Sequence, residues 1–150
     1  MVNGANVVNL ANGAIGPDPV TIVGAALDAA VAHAREASPG ECCGVLLGRR
    51  QDIADSVRTR NLATDPNRYL MDPADHIAAR RQARRRGLEV VGFYHSHPRR
   101  DARPSPADLA DASYPAHLFL IVGLGSDPAD VRLFRYENER FLETPFVRTP

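Results

Sequence analysis

The sequence predicts an α+β domain in which a mixed, mostly antiparallel sheet is flanked by helices. Three observations lead there. Helix start and stop signals frame separate segments, and short apolar runs between turn residues recur along the remainder. The two kinds of segment follow one another with no internal repeat and no interdomain linker.

Residues 1–18 are rich in Asn and Gly and end against Pro19, so 1–18 is expected to be a flexible N-terminal arm and 19–150 a single domain. From Val20 to Ala37 the apolar positions Ile22, Val23, Ala26, Leu27, Ala30, Val31 and Ala34 recur at helical spacing, and Ser38-Pro39-Gly40 ends that helix. Cys42–Gly48 suits a buried strand, Ile53–Leu62 a second and Tyr69–Met71 a short third. Pro73 opens a helix that runs to Arg86 and is closed by Gly87. Val90–Tyr94 is expected as a central strand that delivers His95 at its end, followed by a loop over 96–104 and a helix from Ser105 to Ser113. His117–Gly123 and Val131–Tyr136 form a hairpin, and Arg140–Phe146 adds an edge strand.

With 150 residues, 44% apolar and 24% charged, the chain can bury one continuous core and has the composition of a soluble globular protein. Its 18 basic residues, all Arg, balance 18 acidic ones, so charge points to no nucleic acid and no membrane partner. No run of about 18 apolar residues is present to span a bilayer, and residues 1–16 lack the basic start of a signal peptide. Cys42 and Cys43 are neighbours, which a strand sends to opposite faces, so a mutual disulfide would be strained and a cytoplasmic location is expected.

The informative stretch is His95-Ser96-His97-Pro98 followed by Ser105-Pro106-Ala107-Asp108. Two His at i and i+2 leaving a strand project to the same side and can converge on one ion. Ser105 as a helix cap with Pro106 at N1 puts Asp108 at N3, on the same side as Ser105. Two His and one carboxylate give a metal three protein ligands, the count of a catalytic zinc site with its fourth position open. Each part has a plainer reading. Ser-x-x-Asp before a helix is close to a capping box, and an isolated His-x-His at a strand end occurs by chance.

Taken together, His-x-His-x7-Ser-x-x-Asp resembles the motif of the JAMM (MPN+) zinc metallopeptidases. That family places a glutamate just before a Cys-Gly-(apolar)3-Gly strand, and here Pro39-Gly40-Glu41-Cys42-Cys43-Gly44-Val45-Leu46-Leu47-Gly48 puts Glu41 there. The resemblance extends over about 20–143, through Asn61-Leu62-Ala63 and Tyr69–Pro73, and is closest to the short prokaryotic branch. It implies an MPN-like domain with one Zn2+ per chain held by His95, His97 and Asp108. It also implies Glu41 as the base and then the acid for the zinc-bound water, and Ser105 as hydroxyl donor to the oxyanion. The implied substrate is a ubiquitin-like sulfur-carrier protein or its conjugate, cut after the carrier's C-terminal Gly-Gly. Asp101 and Asp111 are the next candidate ligands should Asp108 fail.

Three other readings compete with this one. A zinc nucleobase deaminase needs H-x-E and P-C-x-x-C, and both are missing. A non-catalytic MPN-type scaffold typically loses motif residues, which this chain keeps. The DNA-repair branch of the fold has His-Asn-His-Pro, whereas Ser96 fills the middle position here. Glu36 and His33 are expected at the surface, His76 at the surface or in a helix-end contact, and His117 at the edge of the core. The run Arg80, Arg81, Arg84, Arg85, Arg86 is expected as a solvated helix face, with docking of an acidic partner as its alternative. Oligomeric state is left open.

Overall fold

A computed structural model describes residues 19–114 and 116–150, so the expected arm over 1–18 lies outside the described residues. In chain order the elements are β1 (Val20–Val23), α1 (Gly24–Ala37), β2 (Cys43–Arg49), β3 (Asp52–Thr59), α2 (Pro73–Arg85), β4 (Glu89–His97), α3 (Pro106–Ala110), β5 (Leu118–Gly123), β6 (Asp130–Glu137), β7 (Arg140–Thr144) and β8 (Phe146–Thr149). The strands form one sheet in the order β7-β6-β5-β4-β2-β3-β1-β8. Pairings β2–β3, β2–β4, β5–β6 and β6–β7 are antiparallel, while β1–β3, β1–β8 and β4–β5 are parallel. The expected α+β architecture with a mixed sheet is therefore the observed one.

The central strands are apolar on both faces because both are covered. One face packs α1 through Leu27, Ala30 and Val31 against Leu46, Tyr94, Leu120 and Leu133. The other packs Ala79 and Ala83 of α2 with Val45, Leu47, Phe93, Phe119 and Ile121. On the α1 face Gly44 pairs with Tyr94, whose ring lies so close that a Cβ at residue 44 would be 2.1 Å from Cε1. The phenol then reaches His33 Nδ1 at 2.8 Å. His33, expected at the surface, is half-buried and ties α1 to the sheet.

Several expected boundaries move. Val20–Val23 is strand rather than the first turn of α1, because it pairs with both β3 and β8. A four-residue apolar run does not distinguish the two conformations; the partners decide. Arg140–Phe146 divides. Asn138 and Glu139, both at positive φ, turn the chain tightly so that β7 pairs with β6, and after Pro145 β8 crosses to the opposite edge beside β1. Tyr69–Met71 makes only a single bridge, between Met71 and Asn61. The helix after Ser105 stops at Ala110, and β4 continues through His97, so both histidines belong to the strand itself. No helix among the described residues is long and apolar enough to cross a membrane.

The parallel β4–β5 pair determines where the chain goes next. Parallel neighbours cannot be joined by a hairpin, so the chain must cross back along the sheet between His97 and Leu118. That crossover carries α3 over the end of β4. Closure at the far edge depends on β8, whose Phe146 is 6% exposed in the α1-side core. We expect Phe146→Ala to lower unfolding free energy by about 3–5 kcal/mol, measured by urea denaturation.

Candidate metal centre

The two histidines come from the last three residues of β4, where alternation sends residues 95 and 97 to the α2 side with Phe93. Both are buried, at 2% and 1% exposure. The crossover supplies the third group. Ser105 caps α3 through a reciprocal box: the Asp108 backbone N–H donates to Ser105 Oγ at 3.0 Å, and the Ser105 N–H donates to Asp108 Oδ2 at 2.8 Å. That box aims Asp108 Oδ2 at the histidines, 3.2 Å from His95 Nε2 and 3.0 Å from His97 Nε2. The two Nε2 atoms are themselves 3.3 Å apart.

This triangle fits a tetrahedral ion. Zinc bonds of about 2.0–2.1 Å put ligand atoms about 3.3–3.4 Å apart. Among the described residues these three form the single group able to hold a metal. The protonation pattern also suits ligation. His97 Nδ1 lies 2.8 Å from the Asp101 carbonyl, which can only accept, so Nδ1 carries the proton and Nε2 keeps its lone pair. Burial pushes the His95 imidazole down toward its neutral form. Burial acts on His97 in the same sense, but hydrogen bonds to Asp108 and to the Asp101 carbonyl outweigh it and leave His97 raised. Burial would raise Asp108, yet the two imidazoles hold it well below the usual carboxylate range.

The loop behind His97 depends on close backbone approach. A Cβ on Gly123 would be 2.5 Å from the Asp101 carbonyl carbon, so only glycine lets residues 100–102 lie across the end of β5. Asp101 thus contributes its carbonyl, while its carboxylate is exposed and pairs with Arg103. Asp111 caps the C-terminal end of α3 and lines the adjacent cleft. Neither reserve ligand joins the metal group.

Glu41 lies two residues before β2. Cys43 pairs with His95, and continuing that register brings Glu41 opposite His97. Glu41 is 6% exposed and its Oε2 is buried with no hydrogen-bond partner among the described residues. Burial pushes this carboxyl up to about 7, against the charge of His97. A carboxylate buried without a donor is costly unless something else occupies its lone pairs. Glu36, by contrast, is exposed and ion-paired with Arg58.

Three contributors escaped the sequence reading. Ser96, between the histidines, points to the other face, where its Oγ accepts the Cys42 N–H at 2.8 Å and so fastens the residue after Glu41 to β4. The Tyr69 ring stacks on His95 with centroids 4.6 Å apart. Asn61 secures the loop that carries Tyr69: its amide donates to the carbonyls of Glu41 and Arg68, and its oxygen accepts from Ala63 and Leu70. Asn61 and Tyr69 lie inside the stretches that resemble the family, but nothing local reveals what they touch.

A cleft of about 760 Å³ opens from His95 and Asp108. Its walls are the 62–71 loop and residues 111–114, and its floor is Phe93 and Phe119. His76 and His117 lie around this floor, with ring centroids 5.3 and 5.8 Å from Phe93.

Residues 24–137 match the family model described as prokaryotic homologs of the JAB domain. The chain belongs to this prokaryotic JAB family. Within it, the chain is 36% identical over 103 residues to the desampylase of Haloferax volcanii, covering 64% of this chain and 74% of that protein. It is 30% identical over 122 residues to the CysO-cysteine peptidase of Mycobacterium tuberculosis, covering 79% and 84%. A solution structure of a protein from Desulfitobacterium hafniense superposes with a TM-score of 0.80 at 30% identity, over 86% of this chain and 92% of that one.

The fastening of Cys42 to β4 can be tested without reference to catalysis. Ser96→Ala removes the acceptor of a buried N–H. We expect a loss of about 1–3 kcal/mol in unfolding free energy by urea denaturation.

Proposed function

We propose that the protein is a zinc-dependent peptidase of the cytoplasm that hydrolyses the amide following the C-terminal Gly-Gly of a ubiquitin-like sulfur-carrier protein, releasing an amino acid or short peptide. The observation that carries the metal is the triangle of His95 Nε2, His97 Nε2 and Asp108 Oδ2, whose sides of 3.3, 3.2 and 3.0 Å suit one zinc per chain. Bound there, zinc would lower the pKa of a water to about 7 and polarise the scissile carbonyl. Glu41 takes the proton of the attacking water on its unpartnered buried oxygen and passes it to the leaving amine. Burial pushes that carboxyl up, and a zinc beside it would draw it back down, so the carboxylate form is available as base and can release the proton again.

Ser105 hydrogen-bonds the oxyanion. Capping and donation are compatible because the hydroxyl uses a lone pair to accept the Asp108 N–H and keeps its own proton to give. The cleft accommodates an extended tail rather than a folded domain, and Gly-Gly lets the substrate backbone approach the metal closely. The names of the relatives, desampylase and CysO-cysteine peptidase, support this class of substrate. Free, buried Cys42 and Cys43 suit a reducing compartment. A non-catalytic scaffold would have no use for a buried, unpartnered carboxylate beside three convergent ligands.

Two experiments test the proposal. Glu41→Gln should retain zinc by elemental analysis while turnover falls at least about 100-fold, whereas His97→Ala should lose both. Loss of zinc from Glu41→Gln would make Glu41 a ligand and sink its role as base. For the substrate, mass spectrometry after equal incubation should show cleavage of a carrier ending in Gly-Gly plus a short extension, and strongly reduced cleavage when the last Gly is Val. Equal cleavage of the Val carrier, or efficient digestion of unrelated unfolded proteins, would favour a general peptidase.

A further inference from the structure

Beyond the cleft, on the other side of His76 and Tyr114, a second cavity of about 350 Å³ is lined by Arg50, Arg80, Arg135, Glu89 and His117. Its guanidinium groups come from three places far apart in sequence: Arg50 from the β2–β3 turn, Arg80 from α2 and Arg135 from β6. None of the three is ion-paired with a carboxylate among the described residues, whereas Arg58, Arg60, Arg86 and Arg132 each hold an Asp or Glu. The one carboxylate in the lining, Glu89, accepts the Arg50 backbone N–H. Arg81, Arg84 and Arg85 extend the same charge along the exposed side of α2, again without acidic partners among the described residues. A chain of zero net charge has thus gathered arginines without carboxylate partners among the described residues, Arg80 bonding His76 and Arg135 bonding Gln51 instead.

We propose that this basic face docks an acidic segment of the protein whose tail enters the cleft, an inference that rests on the peptidase reading above. The two sites share a wall. Arg80 Nε donates to His76 Nε2 at 2.9 Å and its Cζ lies 6.0 Å from the centre of the Tyr114 ring, and both partners line the cleft. A chain leaving the cleft past His76 meets Arg80 next. The groups are spread over three elements and largely exposed, which suits several carboxylates on a protein surface better than one small anion needing convergent donors. The tail then supplies the bond to be cut, and the charge selects which protein brings it.

The test uses the full chain and two substrates with the same Gly-Gly tail and leaving peptide: a folded ubiquitin-like carrier that the protein cleaves, and the isolated tail peptide. In the variant Arg50→Asn/Arg135→Gln we expect KM for the folded carrier to rise about tenfold, with its kcat and the cleavage of the tail peptide unchanged. The single exposed change Arg84→Glu should act in the same direction, and serves if the double variant unfolds. Hexaglutamate should inhibit cleavage of the folded carrier and spare the tail peptide, with an effect that fades as salt rises. An unchanged KM, or inhibition by inorganic phosphate as strong as by hexaglutamate, would overturn the proposal. Should no carrier be cleaved at all, the peptidase reading fails instead. Anisotropy of labelled hexaglutamate then decides the basic face alone: tight binding lost in the variants supports it, and equal binding overturns it.

Discussion

The parallel pairing of β4 with β5 is the constraint on which the site depends. An antiparallel neighbour would have taken the chain from His97 straight into a hairpin and left the histidines at a sheet end with no carboxylate to meet them. A parallel neighbour obliges the chain to return along the sheet. On the way it turns over Gly123, gives the Asp101 carbonyl to His97 Nδ1, and starts a five-residue helix whose capping box aims Asp108 back at β4. The carbonyl that sets the His97 tautomer and the carboxylate that meets both imidazoles of β4 are products of one crossover.

Glu41 reaches the centre from the other neighbour of β4. The antiparallel β2 puts Cys43 beside His95, and the Ser96 hydroxyl fastens Cys42 from the opposite face. The imidazoles of β4 and the buried carboxylate beside β2 are thus registered by ordinary ladder geometry. Asn61 and Tyr69 form an outer layer, which links the loop wall of the cleft to the Glu41 backbone and to the His95 ring. Supports of this kind orient a ligand imidazole without touching the metal.

Legibility in the sequence follows how local each feature is. His95 and His97 two apart, and Ser105 three before Asp108, are spacings whose geometry follows from strand alternation and helix capping. Their convergence was expected and is found. Glu41 had no such local rule and came from the family resemblance. Val20–Val23 reads as helix from the sequence because its strand partners, Asp52, Ile53 and the 146–149 segment, lie far along the chain. The stack of Tyr69 on His95 and the four hydrogen bonds of Asn61 are long-range contacts of the same kind, with no periodicity to announce them. His33 was misplaced for a related reason: helical position alone does not show that a tyrosine hydroxyl waits across the interface.

That β4 runs on through His97 gives the centre two halves of unequal local stability. His95 and His97 belong to a central strand bonded on both sides, so displacing them means opening the most protected cooperative unit of the domain. Asp108 is carried by a helix of only five residues, held by its capping box and by the contact of its own carboxylate with the two imidazoles. Local opening of that short segment would free the Asp108 carboxylate while the sheet keeps the two imidazoles in place. A metal held between them would then come and go with the fraying of α3 rather than with global unfolding, and would find two of three groups already in position.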